Sequence, residues 1–213
     1  MPNNKYYKNF NEQIIIGKSD INCDKYDNLV FASRNIKTFN IPSNIKKILP
    51  YSFYYSSIEK ILIPSNVTEI SDLSFSNCRK LKNVEIQCDS KLSIIGKEAF
   101  SYSSIEKFII PSHMTEICYG SFSNCNHLKL IDIPTDSKLR KIESCAFAET
   151  SIMSFFIPSH VTECWLDAYG NCKNLKIIEI DEKSELQFFS ISTIGQEMII
   201  TGPKFLEKNF FKK

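Results

Sequence analysis

Apolar positions recur along this chain in blocks separated by polar turns. From Ile58 the order is Ile-Glu-Lys-Ile-Leu-Ile-Pro-Ser-Asn-Val-Thr-Glu-Ile, then Ser74-Phe75-Ser-Asn-Cys78. The block returns at Ile105 and again at Ile152, each start 47 residues after the last. A second variant begins at Leu81, Leu128 and Leu175, with the same 47-residue offset. Together with an irregular copy from Ile36, seven starts are visible, at 36, 58, 81, 105, 128, 152 and 175. A fixed period of 20–50 residues is the signature of a repeat architecture, here a unit of 22–24 residues in two alternating forms.

Each unit has a simple anatomy. Ile61-Leu62-Ile63 alternates inward and outward and is rich in β-branched residues, which predicts a short strand. Pro64 cannot donate to a ladder and ends it. Val67 and Ile70 turn back inward, and Phe75 closes the coil in what is expected to be a short helical or 3₁₀ segment. The predicted inward columns are Phe39, Ile61, Val84, Phe108, Ile131, Phe155, Ile178 and Ile41, Ile63, Ile86, Ile110, Ile133, Ile157, Ile180. A spine of Phe53, Phe75, Phe100, Phe122, Phe147 and Tyr169 accompanies them. One coil buries too little apolar surface to offset the ordering of its backbone, so neighbours must stack. At about 4.8 Å per stacked strand, seven coils make a rod about 30 Å long.

The second position of successive units reads Lys37, Glu59, Lys82, Glu106, Lys129, Met153, Lys176. Opposite charges on adjacent strands attract and like charges repel, so this ladder supports the register. Caps are expected at both ends: residues 1–35 with strands at Ile14-Ile15-Ile16 and Leu29-Val30-Phe31, and residues 191–213 with a strand at Met198-Ile199-Ile200 and a ragged tail. The array between them is 36–190.

The string Leu/Ile-x-x-Ile-x-Ile-Pro-Ser-x-Val-x-x-Ile, followed by Ala/Ser-Phe-x-x-Cys, resembles the BspA-type leucine-rich repeat over roughly residues 29–190. The segment from Tyr26 to Lys37 looks like the start of the array in protozoan members of that family. The resemblance implies an α/β fold, a right-handed β/α horseshoe with a short parallel sheet on one face. It also implies surface adhesion and recognition of host or matrix proteins. The family's usual Gly before Ala-Phe survives here only at Gly96.

Composition narrows the function classes. With 26 basic and 24 acidic residues the net charge is +2, which gives no electrostatic case for nucleic acid. No apolar run approaches the ~18 residues of a membrane-spanning helix, and residues 1–11 are too polar for a secretory signal peptide. The basic cluster from Lys208 reads as a solvated terminus.

The candidate chemistry is sparse. No Cys-x-x-Cys occurs among the eight cysteines, so no zinc site is expected. Cys78, Cys125 and Cys172 fall two coils apart, too far to pair as disulfides, and read as small buried residues of a turn ladder. His113 and His160 share a polar turn column with Asn44 and Asn66. Asn66-Val67-Thr68 fits the glycan-acceptor pattern, yet Thr68, Thr115 and Thr162 recur for structural reasons. A solenoid repeats side chains in rows and no row here converges on a nucleophile, base and orienting group, so neither catalysis nor a cofactor is expected.

The outward strand positions are the site candidates. One column reads Asn40, Leu62, Glu85, Ile109, Asp132, Phe156, Glu179; its neighbour reads Thr38, Lys60, Asn83, Lys107, Leu130, Ser154, Ile177. From these, Lys60, Leu62, Glu85, Lys107, Ile109, Asp132, Phe156 and Glu179 are expected to bind a protein partner, because apolar residues where solvent should sit tend to mark interaction sites. Two uses remain open: a surface or secreted adhesion module, and an intracellular scaffold that assembles cytosolic proteins.

Overall fold

The computed structural model describes residues 4–186, 188–189 and 199–202. The chain opens with an antiparallel meander of β1 (Tyr7–Asn11), β2 (Ile14–Gly17) and β3 (Asn28–Ala32). From there it winds as a leucine-rich-repeat solenoid of about seven coils, each contributing two strands.

The first strand of each coil comes from the Ile-x-Ile segment. These are β4 (Thr38–Asn40), β6 (Lys60–Ile63), β8 (Asn83–Ile86), β10 (Lys107–Ile109), β12 (Leu130–Asp132), β14 (Ser154–Ile157), β16 (Ile177–Ile180) and β18 (Ile199–Thr201). They pair in parallel as three blocks, β4-β6-β8, β10-β12 and β14-β16-β18. The second strands are β5 (Lys47–Ile48), β7 (Glu69–Ile70), β9 (Ile94–Ile95), β11 (Glu116–Ile117), β13 (Lys141–Ile142), β15 (Glu163–Cys164) and β17 (Phe188–Phe189). They form a second parallel ladder in two blocks: β5, β7 and β9 continue the opening meander through β3, and β11-β13-β15-β17 follow. Ile61 pairs with Val84 and Ile63 with Ile86, as the repeat register requires.

The third side differs from the expected helical segment in an informative way. One 3₁₀ helix, Leu166–Tyr169, is present among the described residues; the earlier coils instead carry pairs of residues at positive φ. Tyr51 and Tyr55, Leu73 and Asn77, Glu98 and Tyr102, Gly120 and Asn124, and Cys145 and Glu149 all lie near +55°. That alternation turns every second N–H toward the next coil. Leu73, Phe75 and Asn77 donate forward to the carbonyls of Lys97, Ala99 and Ser101, while Ser74, Ser76 and Cys78 donate back to Ser71, Leu73 and Phe75. A regular helix would keep all these donors within its own turn; here half of them stitch the coils together.

The interior is one continuous core. Phe53, Phe75, Phe100, Phe122 and Phe147 are wholly buried and stack in line, with centroids 4.7 to 5.7 Å apart and ring planes within 8–12° of parallel. Tyr169 extends the stack at 5.8 Å. No helix among the described residues is long and apolar enough to cross a membrane. The ragged tail expected beyond Gly202 lies outside the described residues.

Candidate functional site: the solvent face of the strand ladder

The period-two geometry of a strand sends alternate side chains to opposite faces. With Ile61, Ile63, Phe108, Phe155 and Ile157 turned into the core, the residues between them must face solvent. All eight candidate residues do so: Lys60, Leu62, Glu85, Lys107, Ile109, Asp132, Phe156 and Glu179 are exposed. The ladder sets them in rows, with Leu62 beside Glu85, Ile109 beside Asp132, Phe156 beside Glu179, and Lys107 beside Leu130. None of the eight enters an ion pair among the described residues. Their charges are therefore open to a partner.

The structure adds four residues to these eight. Leu130, Met153, Ile177 and Ile199 are also exposed, at 56%, 58%, 42% and 58%, on the same strand edge or face. With Ile109 and Phe156 they make the C-terminal half of the face apolar, edged by Asp132 and Glu179. Its N-terminal half sets Leu62 among Lys60, Asn83 and Glu85 and is more polar. The signal was in the sequence: reading both outward columns and the Met153 position together would have found it.

The charge ladder behaves differently from the expectation. Its members do stack, since the N–H of Glu59, Lys82, Glu106 and Lys129 each donates to the carbonyl of the ladder residue one coil before. Their side chains, however, form no ion pairs among the described residues. The second ladder does carry such pairs: Lys47 meets Glu69 at 2.7 Å, and Lys141 meets Glu116 at 3.2 Å and Glu143 at 2.8 Å.

That last cluster also holds the one grouping of metal-ligating atoms among the described residues, Glu116, Cys118 and Glu143. The Lys141 ammonium already sits between the two carboxylates, and the Tyr119 N–H donates to Glu143 at 2.8 Å. Burial and the neighbouring Glu143 push the Glu116 carboxyl up; for Glu143, burial is outweighed by the bonds from Lys141 and Tyr119, which hold it down. Burial, with Glu116 next, pushes the Cys118 thiol up to about 11, which makes it a poor ligand at neutral pH. The arrangement is a salt-bridged corner of the coil.

The polar turn column is structural as well. Asn44 Nδ2 donates to the Tyr26 carbonyl at 2.6 Å and Asn66 Nδ2 to the Ser43 carbonyl at 3.0 Å. Thr68 and Thr162 Oγ1 donate to Lys46 and Arg140 carbonyls one coil back. The amide of the Asn66-Val67-Thr68 triplet is thus engaged in a bond between coils.

The profile of the BspA type Leucine rich repeat region matches residues 3–104 and 93–212, in six copies. The chain belongs to the BspA-type leucine-rich repeat family. Two solved structures share this BspA-type fold. One is a leucine rich cell surface protein from Faecalibacterium prausnitzii A2-165, 24% identical, with a TM-score of 0.61 over 84% of this chain and 55% of that one. The other is the pneumococcal vaccine antigen PcpA, 19% identical, with a TM-score of 0.63 over 81% and 49% of the two chains. This chain thus spans about half the length of each. Both are bacterial, and nothing in the matches singles out the protozoan members suggested by the segment at Tyr26. A comparison with curated proteins finds no match.

Proposed function

We propose that this BspA-type array is a protein-binding module whose ligand docks on the strand face. The observation that carries the reading is the run of apolar side chains held in solvent at Ile109, Leu130, Met153, Phe156, Ile177 and Ile199. Stable monomers rarely expose such contiguous apolar surface without a use for it. The unpaired carboxylates of Glu85, Asp132 and Glu179 supply orientation and specificity around it.

The favoured setting is the cell surface, with adhesion to a host or matrix protein, because one solved structure of the same fold is named a cell surface protein. The test uses the purified chain against a panel of immobilised matrix proteins, comparing wild type with the triple reversal Glu85→Lys, Asp132→Lys, Glu179→Lys. Binding that disappears in the reversal, with an unchanged circular dichroism spectrum, supports the strand face. Binding that survives the reversal places the ligand elsewhere on the coil.

A second reading, an intracellular scaffold using the same face, is favoured by one observation: all eight cysteines are free thiols. Free thiols are the rule in reducing compartments. Thiol titration of material isolated from the native source separates the two; several disulfides would remove the intracellular reading.

A further inference from the structure

The outward column of the strand ladder alternates in chemistry as well as in position. Leu62, Ile109 and Phe156 lie two coils apart, and each pairs with an acid on the next strand: Glu85, Asp132 and Glu179 respectively. The column therefore reads apolar, acidic, apolar, acidic, with a period of two coils, or about 9.4–9.8 Å at the usual strand spacing. All six side chains are exposed, and none of the three acids enters an ion pair among the described residues. Two of the acids have an exposed apolar neighbour two residues earlier on the same strand, Leu130 before Asp132 and Ile177 before Glu179.

A ligand that follows this column must present its own side chains at the same period. Backbone hydrogen bonds run within a sheet from strand to strand, so the face offers side chains alone and cannot pair an added strand. An extended strand also repeats every two residues, about 6.6–6.8 Å, and falls out of step at once. An α-helix returns to one face after seven residues, about 10.5 Å, and drifts by nearly 1 Å in each repeat. A polyproline-II segment repeats every three residues, about 9.3 Å, and stays within about 1 Å of the column from Leu62 to Phe156.

We propose, resting on the docking face assigned above, that its occupant is a polyproline-II peptide segment laid along the solenoid axis, with one apolar and one basic residue in every three. The apolar side chains sit over Leu62, Ile109 and Phe156, and the basic ones reach the carboxylates between them. A lysine or arginine lays its stem on apolar surface while its charged head stays in water. Leu130 with Asp132, and Ile177 with Glu179, offer that combination twice. Lys60 and Lys107 lie diagonally across from Glu85 and Asp132 and temper those two acids. Glu179 has Ser154 and Ile177 in the corresponding places and is the best site for a base. A polyproline-II chain is already extended and ordered before it docks, so little freedom is lost on binding.

The experiment is fluorescence anisotropy of end-labelled peptides titrated with the full chain, each variant's fold being followed by circular dichroism. The peptides are four Leu-Pro-Lys repeats, four Leu-Pro-Pro-Lys repeats (equal in charge and apolar count but out of step), four Leu-Pro-Glu repeats, and a basic amphipathic helix. Leu-Pro-Lys should bind about tenfold or more tighter than each of the others. Ile109→Ser should weaken it about tenfold, as loss of a central apolar contact does. Among Glu85→Lys, Asp132→Lys and Glu179→Lys, the last should weaken it most. No binding of Leu-Pro-Lys overturns the proposal, as does equal or tighter binding of the out-of-step, acidic or helical peptide. So does a folded Glu179→Lys protein that binds Leu-Pro-Lys as wild type. The matrix-protein panel reports on the face separately: a matrix protein released by the triple reversal, with no peptide preference for the three-residue period, leaves the docking face standing and overturns its polyproline-II occupant.

Discussion

The thiol of Cys125 donates a hydrogen bond to the carbonyl of Phe100 in the preceding coil, 3.1 Å away, and lies 3.3 Å from Ser103 Oγ. The same arrangement joins Cys78 to Phe53 and Ser56, and Cys172 to Phe147 and Thr150. The 47-residue cysteine column is therefore more than small apolar filling: each thiol satisfies a spine carbonyl on the turn side. Burial pushes the thiols of Cys78 and Cys125 up to about 11 and that of Cys164 up to about 12.

A thiol that is both buried and reluctant to ionise reacts slowly with disulfide reagents. In native protein at neutral pH, the exposed Cys88 should label first, while Cys78, Cys125 and Cys164 should label only as the chain unfolds. Mass spectrometry of partially labelled protein reads this directly. Rapid labelling of Cys125 under native conditions would contradict the bond to Phe100.

The aromatic spine should carry much of the stability. Phe122 stacks between Phe100 and Phe147 at 5.5 and 5.7 Å and also meets Phe108 at 4.8 Å. Phe122→Ala removes a fully buried ring from the middle of a continuous column, where neither neighbour can collapse without parting from the next. The expected loss is about 3–5 kcal/mol by denaturant titration. A loss below about 1 kcal/mol would mean that the stack is not a cooperative core.

How far the sequence reveals this molecule depends on what repeats. Ile61, Val84 and Phe108 recur at a fixed spacing, so their column and the stacked ladder can be read before any coordinates. The turn side departs from the expected short helix because its geometry rests on positive φ at Leu73, Glu98 and Cys145, residue types that carry no left-handed signature. Asn77, Asn124, Asn171 and Gly120 were the available hints. The outward strand residues were legible from simple alternation. The apolar bias of their C-terminal half is less plain, because Met153 falls in the charge-ladder column and not in either outward strand column.

The lone surviving glycine of the Gly-x-x-Ala-Phe pattern should prove irreplaceable at its own position. A Cβ on Gly96 would stand 2.3 Å from Asp72 Oδ1, 2.6 Å from the Asp72 nitrogen and 2.8 Å from the Ser71 carbonyl carbon. Two of those atoms are backbone, and the Asp72 carboxylate is itself held by the Lys97 N–H at 2.7 Å. The neighbours cannot yield cheaply, so Gly96→Ala should cost about 1–3 kcal/mol, the usual range for overpacking. Gly170→Ala is the control, because its nearest contact would be 3.2 Å from the Asp167 carbonyl oxygen. Equal stability of the two variants would show that the chain at Asp72 relaxes.

Acid should loosen the N-terminal cap through Asp27. Its buried carboxylate accepts from the Ser19 N–H and the Ser19 hydroxyl, both at 2.9 Å, with Lys46 at 3.6 Å. Burial alone would raise its pKa, but the Ser19 bonds, with Lys46 assisting, bring it below the ordinary value. The sign follows: a carboxyl whose folded pKa is depressed adds stability above its unfolded pKa of about 3.9, and that stability fades as pH falls through the folded value. Lys46 is 60% exposed and contributes little, so the Ser19 bonds dominate. Asp27→Asn should therefore cost about 1–3 kcal/mol at neutral pH, in line with hydrogen bonds to a charged group. The gap between variant and wild type should shrink as the carboxyl protonates. Urea midpoints for both proteins across the acid range measure it, and a gap that stays constant down to about pH 2, below the unfolded value, would assign the residue's contribution to packing instead of charge.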